Sequence, residues 1–104
     1  NEILIKKESN LNIIKCYFPE KIEDEIFKKI SSIKYSFVHV DFDLYKPTLD
    51  VIKFVIPRLE KNAIILLDDY NLINQEGVKW AVRDSGVNIS KCIQTQSGQL
   101  ICYT

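Results

Sequence analysis

Two short apolar runs set the pattern of the chain. Phe37-Val38-His39-Val40 and Ala63-Ile64-Ile65-Leu66-Leu67 each end in acids, Asp41-Phe42-Asp43 after the first and Asp68-Asp69 after the second. Short apolar runs bounded by polar residues suit strands buried on both faces. Between them, Leu49, Ile52, Val55, Ile56 and Leu59 return at helical spacing and mark one buried stripe. Lys46-Pro47-Thr48 opens that helix, because Pro fits a first turn, and Pro57 kinks or ends it near Val55, because Pro has no backbone N–H. A strand, a crossover helix and a second strand make the strands parallel. Both acid pairs then lie at the carboxyl ends of neighbouring strands, where open α/β sheets place ligands.

The same reading extends to both sides. Residues 12–18, with Ile13, Ile14, Tyr17 and Phe18, read as a strand stopped by Pro19. A helix over about 21–33 follows, with Ile22, Ile26, Ile30 and Ile33 on one face. Its acids come first and its lysines last, in the order that complements the helix dipole. Residues 36–41 and 63–67 are the central strands, and Glu60-Lys61-Asn62 is a turn in which Asn tolerates a left-handed backbone. After a loop through Asn71 and Asn74, residues 76–84 read as a short helix facing in through Val78, Ala81 and Val82, with Gly86 as its cap. Residues 90–95 and 99–103 form a hairpin around Gln96-Ser97-Gly98. Residues 1–10 are too short and polar to assign beyond the tail of a helix or a frayed end.

Composition narrows the classes. A chain of 104 residues holds one domain with one modest core. Fourteen acids balance fourteen bases, so no excess charge calls for nucleic acid or a membrane surface. The longest apolar run, residues 63–67, is far short of a bilayer span, and the first residues lack a signal-peptide pattern. Cys16, Cys92 and Cys102 are odd in number and have no CxxC spacing. Free thiols in a reducing, cytoplasmic setting are the expectation, and zinc is not.

The element order, a parallel α/β sheet closing on an antiparallel hairpin, resembles the way class I S-adenosylmethionine-dependent methyltransferases end. The words His39-Val40-Asp41-Phe42-Asp43-Leu44-Tyr45-Lys46-Pro47-Thr48-Leu49-Asp50, Pro57-Arg58-Leu59 and Leu67-Asp68-Asp69-Tyr70 resemble the macrocin O-methyltransferase (TylF-type) family of sugar methyltransferases. Tyr17-Phe18-Pro19-Glu20, Glu76-Gly77-Val78 and Ser97-Gly98-Gln99 are similar to further segments of that family, so the resemblance covers about residues 12–104. It implies a Rossmann-like methyltransferase sheet. It also implies transfer of a methyl group from S-adenosylmethionine to a sugar-like hydroxyl, and a divalent metal, usually Mg²⁺, held by Asp41, Asp68 and Asp69. Asp41 is the implied catalytic base. The chemistry agrees, since Mg²⁺ takes oxygen ligands and a cation stabilises an ionising hydroxyl.

The family's cofactor cradle is a Gly-rich turn after the first strand and an acid ending the second. Gly77, Gly86 and Gly98, the chain's three glycines, form no such loop. Residues 1–104 therefore read as a partial domain, the C-terminal half of the fold, expected to be inactive alone. The strand over 36–41 then lacks a neighbour on one side. It is expected to pair either with residues 12–18 of its own chain or with a second copy in a homo-oligomer. A truncated, catalytically inactive methyltransferase domain with an interaction role is the alternative function. A haloacid-dehalogenase-type phosphatase, suggested by Asp41-Phe42-Asp43, is a remote one, because that fold's later acid pair normally lies much further along the chain. Asp43 reads as the N-cap of the following helix, His39 as a hydrogen-bonded core histidine, and Tyr45 as packing or pocket wall. Tyr70 and Trp80 read as structural or interface residues.

Overall fold

A computed structural model describes residues 5–8, 11–14, 16–70 and 76–103. The chain divides into two compact units, Asn1–Ile33 and Lys34–Thr104.

In the first unit, strands β1 (Ile5–Glu8) and β2 (Leu11–Ile14) pair antiparallel, Ile5 with Ile14 and Glu8 with Leu11. Helix α1 spans Asp24–Ser31, with Asp24 and Glu25 in its first turn and Lys28 and Lys29 in its last. It is shorter at both ends than its apolar spacing predicts. The strand expected over 12–18 forms only as Leu11–Ile14, and its partner is the neighbouring β1. The physical reason is local. Only two residues separate β1 from β2, and a loop that short closes at less entropic cost than a crossover spanning a whole helix.

The second unit carries a four-stranded mixed sheet in the order β3-β4-β6-β5. Its strands are β3 (Tyr35–Val40), β4 (Leu59–Leu67), β5 (Cys92–Gln94) and β6 (Leu100–Tyr103). β3 and β4 run parallel, joined through α2 (Tyr45–Val55) and a 3₁₀ turn at Ile56–Arg58 that holds Pro57. Pro57 ends α2 where its missing N–H predicts. The final strand enters between β4 and β5, antiparallel to both. Gly98, with φ 87°, closes the β5–β6 hairpin.

β4 begins earlier than the sequence predicts, and the expected turn survives inside it. Pairing jumps from Tyr35–Leu59 to Phe37–Ile64. The excess residues of β4 bulge out, with Asn62 at φ 64°, a conformation that Asn adopts at little cost.

Helix α3 (Gly77–Ser85) buries Val78, Ala81 and Val82, as its spacing predicts, and ends at Gly86 with φ 89°. Val40, Ile52, Val55, Ile65, Leu67, Val82, Leu100 and Cys102 form one core. Full burial of each large aliphatic side chain contributes roughly 1.5–3 kcal/mol. Among the described residues Thr48 is the one buried polar residue. Its hydroxyl is satisfied by the Leu44 carbonyl at 2.7 Å.

Strand alternation turns Phe37, Ile93 and Tyr103 to the opposite side, where all three are exposed. Among the described residues β3 pairs only with β4 and is an edge of its sheet. The pairing expected with residues 12–18 of the same chain is corrected: it is not among the described ladders, where β2 pairs with β1. The loop assigned to Asn71 and Asn74 lies outside the described residues.

Candidate functional site

The acids gather at the carboxyl end of the parallel pair. β3 stops at Val40 and β4 at Leu67, and one further bond, Asp68 N–H to the Val40 carbonyl at 3.0 Å, ties the two ends together. Asp41 and Asp43 follow β3 directly. Asp68 and Asp69 follow β4 in a turn, with Asp69 in the left-handed region at φ 57°.

That turn decides where the carboxylates go. In an extended backbone neighbouring side chains point to opposite faces. Here the left-handed residue ends the extension, and the two acids still diverge. Asp69 joins Asp41 and Asp43, and carboxylate oxygens of these three lie within 4.8 Å of one another. Asp68 turns away. Its Oδ2 lies 2.5 Å from Nε2 of His39, and its Oδ1 accepts from the Gln99 amide at 2.6 Å.

The electrostatics match this division. The Asp69 carboxyl is held above its ordinary value, first by a hydrogen bond with Asp43, then by burial and by the charges of Asp43, Asp41 and Asp68. Asp68 is pulled below the ordinary value, by the Gln99 hydrogen bond first and the His39 hydrogen bond second. Three carboxylates sharing space resist full ionisation, and one proton or one cation relieves them. An all-oxygen donor set of this kind suits a hard divalent cation.

Of the three residues named from sequence, the fold brings Asp41 and Asp69 together and sets Asp68 beside them with its oxygens engaged. Asp43 takes the third place in the cluster. The N-cap position of α2 is Leu44, with no side-chain cap bond, so the capping role expected of Asp43 is corrected. The Thr48 hydroxyl donates to the Leu44 carbonyl, and no side chain accepts from the first N–H groups of α2. His39 is hydrogen-bonded, as expected, but exposed. It lies on the open side of the sheet, away from the core set of Val40. Gln99 was not legible as a site residue. The pairing of Leu67 with Leu100 brings the residue before Leu100 next to the residue after Leu67. Only the sheet order reveals that neighbour.

Tyr45 braces the turn. Its backbone abuts Gly77, where a Cβ would come within 2.9 Å of the Tyr45 nitrogen. Its hydroxyl donates to Asp84 at 2.7 Å, two turns further along α3. Arg83 holds the same carboxylate at 2.8 Å, and together the two donors lower the Asp84 pKa, Arg83 more than Tyr45. The segment between the acids of β3 and α2 is thus fixed against α3. Tyr70, next after Asp69, packs against the core and is half-buried.

A parallel strand pair closed by an antiparallel hairpin, with helices and acids at the strand ends, makes this an α/β chain with part of a Rossmann-like sheet. A solved structure with that fold matches it: apo CalS11, a TDP-rhamnose 3′-O-methyltransferase of calicheamicin biosynthesis, with TM-score 0.64 and 18% sequence identity. The match covers 76% of this chain and 35% of that one, so the chain spans about a third of the length of this neighbour. No protein-family model matches the chain, and no curated protein sequence does. Among the described residues no helix is long and apolar enough to cross a membrane.

Proposed function

We propose that residues 34–104 are the cation- and acceptor-holding part of an S-adenosylmethionine-dependent O-methyltransferase of the macrocin (TylF-type) kind. The acceptor is a hydroxyl on a sugar-like molecule. The observation that carries this reading is the cluster of Asp41, Asp43 and Asp69 at the carboxyl end of the parallel pair. The two Asp-rich words and the fold shared with a sugar O-methyltransferase support it.

Mg²⁺ fits the cluster: its donors are all carboxylate oxygens, and the hydrogen bond with Asp43 first, then burial and the neighbouring charges, already raise the Asp69 pKa. A divalent cation there supplies charge that lowers the pKa of an acceptor hydroxyl, so that it becomes a nucleophile near neutral pH. Asp41 keeps the role of proton acceptor that the resemblance gives it. Asp69 gives the cluster a second group able to carry a proton. Asp68 orients the turn: His39 and Gln99 hold its oxygens and so fix the backbone from which Asp69 projects.

S-adenosylmethionine does not fit the residues present. Gly77 opens α3 against Tyr45, Gly86 caps α3 and Gly98 turns a hairpin. None of them cradles a phosphate-like or sulfonium ligand after a strand, and no methyl-transfer step is assigned to this chain's residues.

The test uses Mn²⁺ as a paramagnetic stand-in for Mg²⁺ and a TDP-deoxysugar as acceptor. Sugar protons relax faster when the Mn²⁺-loaded chain is present, and Asp69→Asn abolishes the effect. Failure of Mn²⁺ to bind at millimolar concentration, or binding with no effect on the sugar, contradicts the reading.

A further inference from the structure

Cys92 and Cys102 stand directly opposite each other on β5 and β6. The Cys92 thiol donates to the Cys102 sulfur across 2.8 Å, and both thiols are free. Paired residues of an antiparallel ladder have Cα atoms about 4.5 or 5.5 Å apart. Both spacings lie within the roughly 4.4–6.8 Å that a disulfide spans. The ladder therefore presents two thiols in bonding register with no backbone movement needed.

Access and order of reaction also follow from the surroundings. Cys92 is half-buried, and Cys102 is buried but lines a cavity of about 500 Å³ walled by Lys61, Ile65, Val87 and Lys91 among others. Burial first, and the Cys92 sulfur second, hold the Cys102 thiol well above the ordinary range. A thiol held protonated is a poor first nucleophile. The first attack falls to Cys92, the more exposed of the two.

We propose that Cys92 and Cys102 form a dithiol oxidation site that closes to a disulfide on reaction with a hydroperoxide. The Cys92 thiolate attacks one peroxide oxygen, the O–O bond breaks, and the departing oxygen leaves as water after taking up a proton. Cys92 is then a sulfenic acid. The Cys102 sulfur attacks the Cys92 sulfur and gives its proton to the departing hydroxyl. The S–O bond breaks, the S–S bond forms, and a second water leaves. Two thiols lose two electrons and two protons, and one hydrogen peroxide accepts them. The new bond staples β5 to β6 across the hairpin that carries Gln99 to Asp68.

The test treats the whole chain with a few equivalents of hydrogen peroxide, then alkylates it and maps it by mass spectrometry. The expected product is about 2 Da lighter by loss of two hydrogens. After trypsin, which has no site beyond Lys91, it yields a single peptide, residues 92–104, closed through Cys92 and Cys102, and Cys16 stays alkylated. Closing so short a loop raises Tm by on the order of 10 °C, and dithiothreitol reverses the rise. Cys92→Ser removes both the cross-link and the rise. The proposal is overturned if Cys16 oxidises while Cys92 and Cys102 remain alkylated. Sulfinic acid at Cys92 without a bridge overturns it as well, as do bridges only between chains. The peptide map of the unmodified sequence decides the matter even if the variant fails to fold.

Discussion

Replacing Asp43 separates a structural acid from one that belongs to the cluster. Were Asp43 the N-cap of α2, Asp43→Ala would cost about 0.5–2 kcal/mol, and Asn, an equally good cap, would restore it. That loss lowers Tm by roughly 4–8 °C per kcal/mol in a chain of this size. In the structure the cap position is Leu44 and no side chain caps the helix. The substitution should therefore behave as a surface change, within about 0.5 kcal/mol. It also removes the largest cause of the raised Asp69 pKa. Because Asp69 binds its proton more tightly folded than unfolded, the metal-free native state loses stability as pH rises from about 3.8 through the raised value. Asp43→Ala shrinks that loss, and the Asp69 carboxyl titrates closer to 3.8.

The effect on cation binding is opposite in sign. At Mg²⁺ equal to 10 Kd the original chain gains about 1.4 kcal/mol, or roughly 6–11 °C in Tm. A tenfold weaker site gains only about 0.4 kcal/mol at the same concentration, roughly 2–3 °C. The assays are thermal unfolding with and without Mg²⁺, and carboxyl-carbon NMR of Asp69 against pH. A metal-free Tm lowered by Ala and restored by Asn, with Asp69 titrating unchanged, would refute the reasoning.

Three further outcomes follow from the same geometry. Gln99→Leu removes the stronger of the two bonds that lower the Asp68 pKa; the stability that Asp68 contributes above about 3.8 is lost as pH falls through its folded value, so the variant begins acid unfolding at higher pH, and an unchanged acid limb would count against the bond. Gly77→Ala drives a Cβ to 2.9 Å from the Tyr45 nitrogen and should destabilise by about 1–3 kcal/mol, partly offset by about 1 kcal/mol of helix propensity; a net rise in Tm would show that the Tyr45 backbone yields freely. The chain should bind S-adenosylmethionine no tighter than ~100 µM, about −5.5 kcal/mol, and calorimetry showing tighter binding would reveal a pocket built from other residues.

How much was legible in the sequence depended on whether the deciding interaction was local. The helix ends at Pro57 and Gly86, the buried face of α3 and the hairpin at Gly98 follow from backbone restrictions of single residues, and the structure has them where the residues stand. The convergence of Asp41 and Asp69 follows from parallel strands whose carboxyl ends are in register, Val40 beside Leu67. The division of Asp68 from Asp69 does not, because it depends on one left-handed residue and on a partner, Gln99, brought in by a distant strand. Asp43 was misread because a carboxylate two residues before a helix suits a cap. The N-cap position is Leu44, and no side chain caps α2. The ladder of residues 11–14 with residues 5–8 was missed because the first ten residues are too short and polar to mark a strand by their pattern. The facing of Cys92 and Cys102 likewise needed the ladder register, which three isolated cysteines in a sequence do not disclose.

The account rests on Asp41, Asp43 and Asp69 acting as one cation site. Anomalous diffraction from crystals of the chain grown with Mn²⁺ tests it most directly. The account predicts one strong Mn²⁺ peak among the three carboxylates, at oxygen distances of about 2.0–2.2 Å as expected for a small hard divalent cation. No peak at this end of the sheet, or a peak bound by Asp68 and His39 with the three acids left apart, would contradict it.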